Sequence, residues 1–332
     1  MTGKLQSYAA ALVEALHDGL AADPRVSIIG GYVLGLGPQR SLTDRLKKDF
    51  QDRVMDPPTA EAGLAALGAG AAMAGMHPFV DLGTGSFSYL AWTQIVNEAA
   101  IAHYQSGGRL NVPVTYHLLH GVRGGGAPQH SQSPQAMLLN APGLQIVAPS
   151  TAADVYGLTR TALASSNPTV MVSHAKLLGI EGPAPVDKSP IPFGRADIKR
   201  RGRHVTVVAN SLMVHYALAA ADALAKDGIE VEVVDPRTLV PLDERTILDS
   251  VARTGHLVVV DECPLRGGIA SDIAAMVAER GFRSLKAPIQ RVARADTPVP
   301  YSLPLESFVT PDAEKIQAAI RRVLSPLAHA DR

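Results

Sequence analysis

His204-Val-Thr-Val-Val-Ala209, then Leu212, Tyr216, Ala219 and Ala223 at helical spacing, then Gly228 and Val231-Glu-Val-Val234: this run decides the fold. A short block rich in β-branched residues reads as a buried strand, and apolar residues three and four apart give a helix one inward face. Asp243 to Arg253 repeats the helical pattern, and His256 to Val260 repeats the strand. Strand and helix in alternation predict a parallel sheet with helices on both faces. Thr310 with Pro311 predicts the cap of a final helix reaching Leu324, and Ser325 to Arg332 reads as a frayed tail.

The same alternation runs upstream. Leu12, Leu16 and Leu20 mark a helix that Asp23-Pro24 closes before the strand Val26 to Ile29. Glu61 opens a Gly/Ala-rich helix ending near Gly75, whose small residues suit the interior, and Pro78-Phe79-Val80 reads as a strand. Trp92 to Tyr104 is helical, while Val112 to Tyr116, Leu144 to Ala148 and Thr169 to Ser173 are strand candidates. Between Gly182 and Gly202 stand Pro183, Pro185, Pro190 and Pro192 and the basic cluster Lys199-Arg200-Arg201, without apolar periodicity, which predicts an extended linker. The expected organisation is α/β throughout: a three-layer domain over 1–185, a linker over 186–203 and a second three-layer domain over 204–332, with mostly parallel sheets.

Composition narrows the function. The chain has 332 residues, with 31 Lys and Arg against 31 Asp and Glu, a balance that argues against a nucleic-acid binder or a polybasic membrane-surface protein. A hydrophobic share of 46% with 19% charged residues argues against disorder. One cysteine, Cys263, excludes an intrachain disulfide framework and fits a reducing compartment, so the expected location is cytoplasmic. Met1 to Asp23 is acidic and amphipathic, unlike a targeting segment, and no stretch reads as a membrane span.

Three segments carry candidate chemistry. Asp56-Pro-Pro-Thr-Ala-Glu61-Ala-Gly63 places a carboxylate at a helix entrance, although the helix dipole alone explains an acid there. Ser86-Phe87 follows a strand, where an isolated Phe is usually core. Gly121 to Gly126 with Gln129-His130-Ser131-Gln132 is a glycine loop carrying an imidazole, equally readable as a surface loop or as a site. Other signals fall away. Gly68-Ala-Gly70 and Gly35-Leu-Gly37 lack the third glycine of a dinucleotide fingerprint, and Gly83-Thr-Gly-Ser86 lacks the spacing of a nucleophile elbow. His117 and His120 do not share a strand face and have no acidic or cysteine ligands clustered nearby, so no metal site is expected. Cys263, with no adjacent base, reads as a small buried residue.

In this order, with Tyr104-Gln-Ser-Gly-Gly108, Pro142-Gly143, Val147-Ala-Pro-Ser-Thr151, Asn167-Pro168, Val234-Asp-Pro-Arg-Thr-Leu239 and Asp296-Thr-Pro-Val-Pro-Tyr301, these segments resemble a known family. It is the beta subunit of the thiamine-diphosphate-dependent, decarboxylating component of 2-oxo acid dehydrogenase complexes, of the pyruvate, branched-chain and acetoin types. The resemblance covers nearly the whole chain. It implies a pyrimidine-binding domain followed by a transketolase C-terminal-type domain. It implies that Glu61 hydrogen-bonds the aminopyrimidine ring nitrogen of thiamine diphosphate, that Phe87 stacks on that ring, and that His130 stands near the substrate and the acyl acceptor, a lipoyl group on a transacylase core.

The resemblance also implies a partner. The other half of the cofactor site needs a Gly-Asp-Gly segment to hold the diphosphate and Mg2+, and this sequence contains none. The family supplies it from an alpha subunit in an alpha2beta2 tetramer. Gly30-Gly31-Tyr32 stands where the family commonly has acidic residues, and Gly83-Thr-Gly85 replaces bulkier residues ahead of Phe87, which points to a different substrate or acceptor. Two other readings stay open: a split transketolase or acyloin-forming transferase of the same superfamily, and a noncatalytic homologue. Gln129 to Gln132 and Tyr104 to Gly108 favour the dehydrogenase branch.

Overall fold

A computed structural model describes residues 5–30, 40–185 and 187–325. Gly31, Tyr32, the Gly35-Leu-Gly37 segment, Val186 and the tail from 326 onward lie outside the described residues.

Two mostly parallel sheets organise the chain, as expected. In chain order the strands are β1 (Leu5–Ser7), β2 (Val26–Ile29), β3 (Val54–Met55), β4 (His77–Thr84), β5 (Thr115–His120), β6 (Gln145–Val147), β7 (Thr169–His174) and β8 (Glu181–Pro183). They continue with β9 (Asp197–Arg200), β10 (Val205–Ala209), β11 (Val231–Asp235), β12 (Thr238–Val240), β13 (Leu257–Pro264) and β14 (Gln290–Arg294). The first sheet runs β12-β6-β7-β5-β4-β2-β3, and only β12 is antiparallel to its neighbour. The second runs β14-β13-β10-β11-β9, with β9 antiparallel at the edge. β1 and β8 form a small antiparallel pair. β10 and β11 are buried along their whole length, which is why they read as unbroken β-branched runs rather than as alternating ones.

Capping explains where several helices start. Ser7 accepts the Ala10 N–H at the head of Tyr8–Ala22, and Thr151 accepts the Asp154 N–H at the head of Ala152–Ala164. The last helix corrects the sequence expectation. Its cap is Asp312, whose side chain accepts the Lys315 N–H at 2.7 Å, and the helix is Ala313–Leu324. Strand β5 begins at Thr115 rather than Val112, and Gln94–Ala100 winds as a π-helix within the expected helical stretch. The helix Glu61–Met73 is interior on one face only. Gly68 on that face leaves no room for a Cβ against Val80, while Gly63, Leu67 and Gly70 are exposed.

The two halves are joined more tightly than an extended linker implies. Residues 197–200 of that segment are β9, an edge strand of the second sheet, and β12 crosses back to close the edge of the first. Each of the two apolar cores draws side chains from both halves. At the same junction Lys199 Nζ lies 2.7 Å from Asp154, 2.8 Å from Asp197 and 3.6 Å from Asp235, and Arg237 lies 3.4 Å from Asp154. Burial raises the Asp235 carboxyl even though Lys199 opposes it, whereas Lys199 and its hydroxyl neighbour Thr151 keep Asp154 low against burial. Among the described residues no helix is long and apolar enough to cross a membrane.

Removing Lys199 leaves two buried carboxylates, Asp154 and Asp235, short of their cation. Lys199→Met is therefore expected to destabilise the chain by about 3–5 kcal/mol, read from chemical denaturation, whereas Arg245→Met, which breaks a surface pair, should cost about 1 kcal/mol or less.

Candidate active site

Glu61 is the first residue of its helix, where the positive end of the dipole favours a carboxylate. It is 7% exposed, and its side chain has no hydrogen-bond partner among the described residues. The helix packs against β4 and against the 3-10 turn Gly85–Tyr89 that follows β4.

That turn carries Phe87. Gly85 admits the turn because a Cβ there would press on Pro134 at 2.9 Å, and Ser86 Oγ donates to the carbonyl of Gln129. The turn and the glycine loop are thereby tied together, and Phe87 meets His130 edge-on with ring centroids 5.6 Å apart. A cavity of about 440 Å3 opens beside them, lined by Ser86, Phe87, Tyr89 and Leu90 on one side and Pro128, Gln129 and Gln132 on the other. His130 itself is exposed. The structure thus brings Phe87 and His130 together, and places Glu61 on the adjoining helix rather than in the lining of this cavity.

Behind the loop lies a buried polar cluster, of which the sequence reading named His117 and His120 but not their partners. Gly121, at a backbone φ of +94°, passes so close to the His174 ring that any side chain would overlap it. His174 Nδ1 accepts the Lys176 N–H, so its proton is assigned to Nε2, which donates to Glu262 Oε2 at 2.8 Å. Glu262 Oε1 accepts the Val122 N–H at 2.7 Å. His120, packed edge-on to His174, lies 3.2 Å from Ser211 Oγ and 3.4 Å from Ser133 Oγ. On the other face of β5, His117 Nε2 lies 2.9 Å from Ser173 Oγ, with Asp81 3.5 Å from its Nδ1 and Tyr8 Oη 2.8 Å from the same serine. No local pattern marks the main pairings, because Ser173 stands 56 positions from His117 and 165 from Tyr8, and Glu262 stands 88 from His174. Cys263 is buried, as expected, and burial pushes its thiol up.

The carboxyl ends of β5 and β7 therefore meet those of β10 and β13, the place where open parallel sheets form their sites. Residues 4–180 match the model of the transketolase pyrimidine binding domain, and 194–316 match that of the transketolase C-terminal domain. The acetoin:2,6-dichlorophenolindophenol oxidoreductase beta subunit of Cupriavidus necator is 40% identical over 96% of this chain and 97% of its own. The 2-oxoisovalerate dehydrogenase beta subunit of Bacillus subtilis is 38% identical over 96% and 98%, and the pyruvate dehydrogenase E1 beta subunit of Rickettsia conorii 39% over 94% and 96%. The chain belongs to the family of 2-oxo acid dehydrogenase E1 beta subunits. A solved split-gene transketolase, an inactive beta4 tetramer, shares the fold at a TM-score of 0.80 and 23% identity, covering 96% of this chain and 98% of that one.

In this beta subunit, burial holds His120 neutral, lowering its pKa from 6.5 to about 3, with His174 and Arg123 adding to the effect and Glu262 opposing it. The unfolded chain takes up a proton near pH 6.5 that the folded chain refuses. Stability is then full above that pH and falls as the pH drops toward 3, by up to about 1.4 kcal/mol per unit. Glu262 is held below the usual 4.5 by His174 and the Val122 N–H against the pull of burial, while Asp235, raised by burial to about 7, works in the opposite sense to His120 between pH 6.5 and 4.5, so His120 is read from the difference between the unsubstituted chain and a His120 variant. As the pH falls over that interval, the urea midpoint of the unsubstituted chain should drop relative to that of His120→Gln, and a constant difference between the two would refute the assignment.

Proposed function

We propose that this chain supplies the pyrimidine-facing half of a thiamine diphosphate site in a decarboxylating 2-oxo acid dehydrogenase. An alpha subunit supplies the other half, with the Gly-Asp-Gly segment and Mg2+, in an alpha2beta2 assembly. In this reading the pyrimidine-binding domain is 1–185, the transketolase C-terminal-type domain is 204–332 and the compartment is the cytoplasm.

The observation that carries the reading is Glu61. The residue is 7% exposed, and its carboxylate is bonded to nothing among the described residues. A carboxylate at the entrance of a mostly buried helix start, with its acceptor capacity unused, suits a donor that arrives from outside the chain. The residues fit the cofactor in kind: a buried acid for a ring nitrogen, an aromatic ring on the adjoining turn and an imidazole against that ring.

When bound, the cofactor supplies the electron sink that lets a 2-oxo acid lose carbon dioxide. The chain does the rest. Glu61 would hold a proton at the aminopyrimidine ring nitrogen. Phe87 takes the flat face of the ring, a contact worth about 0.5–1.5 kcal/mol beyond area burial. His130, exposed and backed by Phe87, exchanges a proton with the substrate and with the incoming acceptor, for which we propose a lipoyl group on a transacylase core.

The test is co-purification with an alpha subunit, titration with thiamine diphosphate and a panel of 2-oxo acids. Acyl-lipoamide is the expected product; a free carbon–carbon coupled product would instead identify ketol transfer. Glu61→Gln should lower turnover of the assembled enzyme by roughly a hundredfold or more, and unchanged turnover would sink the mechanism. Phe87→Ala should weaken cofactor binding by roughly twofold to tenfold, measured by fluorescence or calorimetric titration.

A further inference from the structure

The loop 121–132 has little reason of its own to hold one shape. Residues 121, 124, 125 and 126 are glycine, and such a backbone has many states open to it. Its root is closed by the Gly121 N–H, which donates to the Gln132 carbonyl at 3.1 Å. Two of its inner N–H groups then find carboxylates from the far half of the chain. The Val122 N–H donates to Glu262 on β13 at 2.7 Å, and the Gly125 N–H donates to Glu306 Oε2, on the short helix Leu303–Val309, at 2.9 Å.

Both acids are 4% exposed. Carboxylates are rarely buried without a bonding task, and these two accept N–H groups from the same short loop. Glu262 divides its oxygens between the loop and His174, whereas the loop is the side-chain partner of Glu306 among the described residues. Tyr301, just ahead of that helix, also stands against the loop: a Cβ on Gly125 would touch its ring at 3.8 Å. Beyond the second bond the chain runs through Ala127 and Pro128 to Gln129, whose carbonyl Ser86 holds, and so to His130 against Phe87.

We propose that Glu262 and Glu306 are positioning residues for the reaction, fixing from the second half of the chain where the glycine loop of the first half presents His130. The inference rests on His130 serving the reaction as described above. It assigns the second half a part in the site that needs no contact with substrate.

The experiment uses the assembled alpha–beta enzyme with Glu306→Ala, Glu306→Gln, His130→Ala and the double variant Glu306→Ala/His130→Ala. Glu306→Ala should speed amide hydrogen exchange across residues 122–130 by roughly tenfold or more, because a charge-assisted bond is lost. It should lower kcat while the cofactor dissociation constant stays unchanged. Glu306→Gln keeps a carbonyl acceptor and should restore most of both. In the His130→Ala background, removing Glu306 should lower kcat no further. Unchanged loop exchange in Glu306→Ala overturns the anchor whatever the activity does, and so does a kcat loss that multiplies fully with that of His130→Ala. Full activity in His130→Ala overturns the role given to His130 instead, and the exchange measurement then decides the anchor by itself.

Discussion

The Glu262 carboxylate is the point on which the geometry of the site turns. Each of its oxygens is used, one by His174 at the end of β7 and one by the Val122 N–H just beyond β5. A charge can stay in so dry a place only when its lone pairs are matched. Matching them requires the carboxyl ends of the two sheets to abut, so the position of one sheet relative to the other is written into this contact. His120 adds a neutral imidazole between Ser133 and Ser211, and neutrality is what burial demands of it.

A second junction, below the site, ties the halves with charge and backbone. Lys199 and Arg237 face Asp154, while Ser150 donates to Asp235 at 2.5 Å. β12 meanwhile satisfies the edge of the first sheet with backbone from the second half. The loop and turn that carry His130 and Phe87 thus sit on a frame fixed at both ends, the arrangement in which loops can hold chemistry in register.

Much of this was legible in the sequence, element by element. The buried strands β10 and β11 announced themselves as β-branched runs, and the helix Glu61–Met73 by its composition and entry. Phe87 and His130 were singled out by local context and by motif order, and the structure puts their rings in contact. β9 and β12 escaped notice. Three- and four-residue strands carry too little periodicity to show, and their strand character comes from the neighbours they pair with. The cap of the last helix was misplaced because Thr310 and Asp312 are both competent caps, and only the backbone decides which one receives an N–H.

The sequence by itself determined the α/β class, the alternation of strands and helices, the family, and which residue types stand ready for acid–base and stacking roles. Those properties are local or lie in motif order, and each short segment carries its own share of them. Only the tertiary structure decided that Glu262 and Glu306 reach the glycine loop, that His174 and His120 are buried beside it, and that Glu61 stands without a partner among the described residues. A carboxylate reads the same in sequence whether it faces water or another strand. Its task is set by what the fold places within about 3 Å of its oxygens.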